Sequence, residues 1–225
     1  MTYLEMCQRL RLEAGIAGSG PTSVVSQTGE LGRIVDWVAT ANDDIQNSNA
    51  TWRFLQTSFD FSTVASIQNY APADVSITDL ASWKFGRSDD FTVYSSVADE
   101  QYLIYVPWND FKGSYLFGTS RSQTGKPTIV TIKPDNSMSF YATPNAVYTV
   151  TGEYYKKAQA LTADADESLI PSQFQMMIVW RALMLYGAYS GASDAFTHGS
   201  NEYNTLLRKL NRSELPRMTW GSPLA

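Results

Sequence analysis

The stretch "ELGRIVDWVATANDDIQNSNATWRFL", Glu30 to Leu55, decides the fold, because the hydrophobic period changes at its end. Leu31, Ile34, Val35, Val38, Ala41 and Ile45 recur at helical spacing, and Trp37 widens their stripe, so one face of an amphipathic helix is set for burial. Thr28 stands where an N-cap belongs, and Glu30 sits in the first turn, where the helix dipole favours negative charge. Asp43, Asp44 and Gln46 lie largely off the stripe, and Asn47-Ser48-Asn49 ends the helix. From about Leu55 the period becomes that of strands. "FLQTSFDFSTV", "FTVYSSV", "YLIYVPW", "PTIVTIKP", "SMSFYATP" and "AVYTVTGEYYKK" are rich in β-branched and aromatic residues. Turn residues separate them at "RSDD" (87–90), "SQTGKP" (122–127) and "PDNS" (134–137). "TIVTIKPDNSMSFYATP" predicts a hairpin, and the middle third predicts an antiparallel β module.

Helices flank this middle. Tyr3 to Ala14 places Tyr3, Cys7, Leu10 and Ala14 on one face and stops at Gly15. "GIAGSGPTS" follows as a loop. After "LTADADESLIP", Pro171 fits a first helical turn, and Gln173 to Tyr189 form a helix that is apolar almost all round, with Gln175 and Arg181 its only strong polar positions. Such a helix needs cover on every side, which a neighbouring subunit supplies more easily than the thin helices at the chain's two ends. Ser193 is placed to cap a last helix striped by Phe196, Tyr203, Leu206, Leu207 and Leu210. The expected class is α+β: an α-helical bundle formed by N- and C-terminal helices with an inserted antiparallel β-rich module. Its boundaries are 1–55 and 168–212 for the helical core, 56–167 for the β-rich extension, and 213–225 for a C-terminal arm.

The 225 residues are 44% hydrophobic and 17% charged, ordinary proportions for a folded chain, and no run is long and apolar enough to span a bilayer. The opening residues lack the pattern of a secretory leader. The net charge of −5 argues against a protein that grips nucleic acid by neutralising phosphates. The charge is uneven: Arg208 to Arg217 carries four positive side chains and one Glu, which leaves the remainder near −8. A basic segment on an acidic body predicts an acidic partner, while the simpler reading has Arg208, Lys209 and Arg212 complementing a helix dipole.

Residue types that carry chemistry are scarce. His198 is the single histidine and Cys7 the single cysteine, read respectively as a solvated or capping side chain and a buried thiol. Asp164, Asp166 and Ser168 imitate the start of a calcium loop, but Leu169 and Gln175 stand where it needs Gly and Glu. Asp89–Asp90 and Asp99–Glu100 read as surface charge. No cofactor or metal is expected. The surplus lies in 13 Tyr, 10 Phe and 6 Trp. Trp83, Trp108 and Tyr115 are candidates for stacking on sugars or bases, whereas filling β faces and anchoring protein contacts is the simpler use of such rings.

The short first helix, the loop at "GSGPTS", the segment "GELGRIVDWVATANDDIQNSNATWRFL", the β-rich middle and the late "IPSQFQMMIVWRALMLYGAY" together resemble the head-to-tail adaptor (connector) proteins of tailed bacteriophages. The resemblance is most specific over 28–55 and 170–187. It implies a structural virion protein without enzymatic activity, assembled in the host cytoplasm. Copies would form a ring, usually of about twelve, beneath the portal protein. The ring would join the capsid vertex to a tail or nozzle protein and leave a channel through which double-stranded DNA passes without sequence-specific binding. Phe174, Met177, Trp180, Met184 and Trp37 are the expected oligomer interface, and Leu215, Arg217, Trp220 and Leu224 the expected portal-docking arm. A carbohydrate-binding or other tail component with an aromatic-lined β module is the alternative, and a cellular scaffold that merely oligomerises is a further one.

Overall fold

The computed structural model describes residues 1–85 and 90–215. The chain divides into two compact units: Met1–Leu55 together with the described residues from Ala158 onward, and Gln56–Lys157. The fold is α+β. Among the described residues the α-helices are α1 Tyr3–Glu13, α2 Gly29–Asn47, α3 Trp108–Tyr115, α4 Met176–Ser190 and α5 Ser193–Glu214. All but α3 belong to the first unit.

In the helical unit, α1 begins with a reciprocal cap in which the Thr2 hydroxyl accepts from the Glu5 amide and the Glu5 carboxylate accepts from the Thr2 amide. It buries Tyr3, Met6, Cys7 and Leu10, so Met6 replaces Ala14 on the expected face. The Tyr3 hydroxyl donates to the Val35 carbonyl at 2.8 Å and ties α1 to α2. The stripe of α2 is buried as its spacing requires, through Ile34, Val35, Val38, Ala41 and Ile45. Thr28 holds the N-cap position without a side-chain cap bond; the turn is completed by Gly29 at φ +62°, a left-handed conformation suited to glycine. At the other end Trp52 is buried and its indole N–H donates to the Ile45 carbonyl at 3.2 Å.

Pro171 precedes a single 3-10 turn, Ser172–Phe174, and α4 starts two residues later. Both α2 and α5 pack on α4, as does α1. Gly191 at φ +72° ends α4, and Ala192, not Ser193, is the N-cap of α5. The α4–α5 approach is close because two glycines permit it. A Cβ on Gly187 would lie 2.7 Å from the Phe196 amide, and one on Gly199 2.9 Å from the Trp180 carbonyl.

Residues 158–167, grouped by sequence with the β module, lie in the helical unit because their polar groups are satisfied there. The buried amides of Asn42 and Gln46 both donate to the Gln159 carbonyl, and Leu161 joins the helical core. Asp164 accepts from the Ser23 hydroxyl and the Val24 amide. Asp166 accepts from the Thr162 and Ala163 amides, and Ser168 donates to Asn42 at 2.6 Å. The calcium-loop mimic is a loop closed on its own chain.

The strands are β1 Gln56–Ser62, β2 Asn69–Tyr70, β3 Leu80–Trp83, β4 Thr92–Tyr94, β5 Gln101–Tyr102, β6 Ile104–Tyr105, β7 Thr124–Gly125, β8 Ile129–Ile132, β9 Met138–Tyr141, β10 Thr143–Pro144 and β11 Thr149–Lys156. One sheet runs β1-β11-β4-β5 with β3 also on β11, a second runs β2-β9-β8-β6, and β7 pairs with β10. The hairpin expected at Ile129–Tyr141 is present, with Ile129 opposite Tyr141 and Asn136 at φ +64° in the turn. The expected all-antiparallel pairing is incomplete: β6–β8 and β7–β10 are parallel. The strand expected to run through Trp108 stops earlier, because Pro107 lacks the amide hydrogen a ladder needs and instead opens α3. The turn expected at "RSDD" falls mostly outside the described residues.

Candidate functional site

The helical unit carries two surfaces of aromatic side chains. On the first, α2 places Arg33 and Trp37 one turn apart, and α4 places Tyr186 and Tyr189 with the same relation. The Trp37 ring meets Tyr186 edge-on with centroids 5.8 Å apart, and Tyr189 at 5.6 Å. Arg33 lies over the Tyr189 ring at 4.3 Å and also donates to its hydroxyl. Trp37 and Tyr186 are half-buried, while Tyr189 remains 59% exposed. The second surface lies where α4 meets α5. Trp180 is half-buried and meets the exposed His198 edge-on at 5.2 Å, Met184 is half-buried beside Gly199, and Phe196 is 42% exposed.

Of the five residues expected at an oligomer interface, the structure leaves Trp37, Trp180 and Met184 partly open. Phe174 at 7% exposure and Met177 at 0% lie in the core of their own unit. A side chain enclosed on all sides has no surface to offer a neighbour, so these two pack the subunit. The apolar surface of α4, expected to need a neighbouring subunit, is instead covered largely by α1, α2 and α5 of the same chain, with Met177, Ile178, Val179, Ala182 and Leu183 fully buried. Sequence reasoning missed Arg33, Tyr186 and Tyr189. The helical spacing of Arg33 to Trp37 and of Tyr186 to Tyr189 was the available signal. Of the expected arm, Leu215 is half-buried against the helical core, and its amide donates to the Asn211 carbonyl at the end of α5. Arg217, Trp220 and Leu224 lie outside the described residues.

In the second unit a cluster of aromatic rings turns inward, while Tyr102 and Phe117 stay exposed. Phe59, Trp83, Phe91 and Tyr154 contact one another with centroid separations between 5.1 and 6.3 Å, and all four are buried. Trp83, a candidate for stacking on a ligand, spends its indole N–H on the Asn136 carbonyl at 2.9 Å. Trp108 stacks near Phe111 with Lys133 above it, and Tyr115 packs on Tyr141. Asp99 is occupied as well. It accepts from the Ser95 and Ser96 amides, from the Ser95 hydroxyl and from Lys126 at 2.9 Å. The Ser96 amide first, then Lys126 and Ser95, hold its carboxyl well below the usual carboxylate range. A group held ionised by four donors serves a turn and is a poor proton donor. Asp89 lies outside the described residues.

Burial, with a smaller contribution from the nearby Asp164 charge, pushes the Cys7 thiol up to about 12, which suppresses the reactive thiolate. Among the described residues no group of three or more His, Cys, Asp or Glu is placed to hold a metal ion, and no helix is long and apolar enough to cross a membrane.

The helical unit thus carries aromatic contact faces, and residues of this type dominate many protein–protein contacts. The sequence profile of the SU10 adaptor proteins matches residues 1–225, and the chain belongs to that family, one of phage head-to-tail adaptors. No curated protein matches the chain.

Proposed function

We propose that the protein is a head-to-tail adaptor whose copies close into a ring beneath the portal, join the capsid vertex to the tail and leave a channel for double-stranded DNA. The domain reading behind it keeps an α-helical bundle as the ring-forming core, the β-rich module as an extension carried by it, and 213–225 as the arm that docks on the portal. Family membership supports the adaptor role, and the open aromatic faces of the helical unit are the observation that carries self-association. Trp37 with Tyr189, and Trp180 with Met184, lie on different sides of α4, so one face of a copy meets the other face of the next. A heterologous contact of this kind closes into a ring when its rotation permits. The acidic composition suits a duct: a wall that offers few cations to phosphates holds the duplex weakly and lets it slide.

The test is the mass of Tyr189→Asp and Trp180→Asp variants, with circular dichroism to verify folding. Tyr189 is the more telling site because it is exposed and contributes little to the core. Single copies of a folded Tyr189→Asp protein are expected, and intact rings would contradict the interface. Removal of residues 213–225 is expected to abolish co-sedimentation with the portal while rings persist.

A further inference from the structure

The helical unit leaves two sets of like charge without an ion-pair partner among the described residues. On α5, Arg208, Lys209 and Arg212 are exposed along the last two turns, and none forms an ion pair. The helix dipole accounts for Arg212, in the last turn, but its influence fades beyond that turn, where Arg208 lies. On α2, Asp36, Thr40 and Asp43 share one exposed face, and neither acid has an ion-pair partner. Asp43 borders a shallow depression lined by Ala39, Thr40, Ala160 and Leu161. The neighbouring Asp44 is different: it takes Arg181 at 2.8 Å within its own chain.

Both helices turn their apolar stripes to α4, α2 through the Trp37–Tyr186 side and α5 through Gly187 and Gly199. Their charged faces therefore look away from α4, and among the described residues no ion pair joins them within a copy. Contact between two identical faces would set like charges together. Contact between α5 of one copy and α2 of the next sets three cations against two anions. The geometry points to Arg208, Lys209 and Arg212 of one copy docking on Asp36 and Asp43 of the next copy. This rests on the ring reading above and adds which faces meet and in which direction. The same two sides of α4 carry the aromatic surfaces, so the charges flank the apolar contact. Exposed pairs add little affinity individually, but they fix register and reject a like-charged face.

The experiment reverses each set of charges in the full-length chain, as R208E/K209E/R212E and as D36K/D43K, and measures sedimentation of each variant and of their mixture. All these side chains are exposed, so thermal melts should stay close to wild type. Each variant alone is expected to lose the assembled species. An equimolar mixture is expected to regain it, because the inverted, acidic α5 of the first variant then meets the inverted, basic α2 of the second, and the unchanged basic α5 of the second meets the unchanged acidic α2 of the first. Assembly of either variant alone at the wild-type level overturns the pairing, as does a mixture that stays single, and in both cases a wild-type ring leaves the adaptor reading standing. An α5 variant that assembles normally but no longer co-sediments with the portal assigns those cations to the portal and also overturns the pairing. Wild-type protein that stays single at high micromolar concentration removes the ring itself, and the pairing with it.

Discussion

The two units differ in how much of their core is aromatic. In Gln56–Lys157 the rings are the core: Phe59, Trp83, Phe91, Phe140 and Tyr154 are buried and touch one another or their neighbours. In the helical unit the core is mainly aliphatic and methionine-lined, with Tyr3, Trp52 and Phe174 its buried rings, while Trp37, Trp180, Tyr186 and Tyr203 are only partly covered at its edge. Rings thus carry much of one core, and in each unit others stay open: Trp37, Trp180 and Tyr189 on the helices, Tyr102 and Phe117 in the second unit. Composition counts the rings but cannot say which use each serves. Burial separates them.

Substitutions can break this comparison in order of expected effect. Phe91→Ala removes a ring that is 1% exposed and should cost about 3–5 kcal/mol of stability, measured by denaturant unfolding, without altering the assembly of protein that remains folded. Gly187→Val places atoms against the Phe196 backbone and should cost about 1–3 kcal/mol or more, since backbone yields less than a side chain. Tyr189→Asp should change stability little, in keeping with surface substitutions within about 0.5 kcal/mol, yet remove assembly. If Phe91→Ala and Tyr189→Asp moved stability equally, the division between core rings and edge rings would fail.

Two smaller effects sharpen the account through pH. The Asp99 carboxyl is held below its usual value of 3.8, so its contribution is present above that pH and is lost as pH falls. Asp99→Asn should flatten the acid side of the stability profile, seen in melts below pH 4. The Cys7 thiol is raised from 9.0 to about 12, so its contribution is complete below pH 9 and is lost as pH rises towards 12. Thiol reagents should accordingly label Cys7 slowly in the native protein and quickly once it is unfolded.

Much of the helical unit was legible because α1, α2 and α5 bury one stripe each. The spacing of Ile34, Val35, Val38, Ala41 and Ile45 requires the observed packing of α2. The "PDNS" turn likewise announced the β8–β9 hairpin. The parallel pairings were not legible, since a two-residue strand such as Ile104–Tyr105 has no period to read. The short helix α3 was hidden by the β-prone residues around Pro107. Within the candidate site, helical spacing located Trp37 and Trp180, but separating them from the buried Phe174 and Met177 required the packing of α1, α2 and α5 on α4. A helix that is apolar all round announces that it is covered, not by what.

Cryo-electron microscopy of the purified protein at assembly concentration tests the central claim most directly. Closed rings are expected, in which Trp37 and Tyr189 of one copy are buried against the Trp180–Met184 side of the next, around an electronegative opening. Single copies at high micromolar concentration, with Tyr189 still facing solvent, would contradict it.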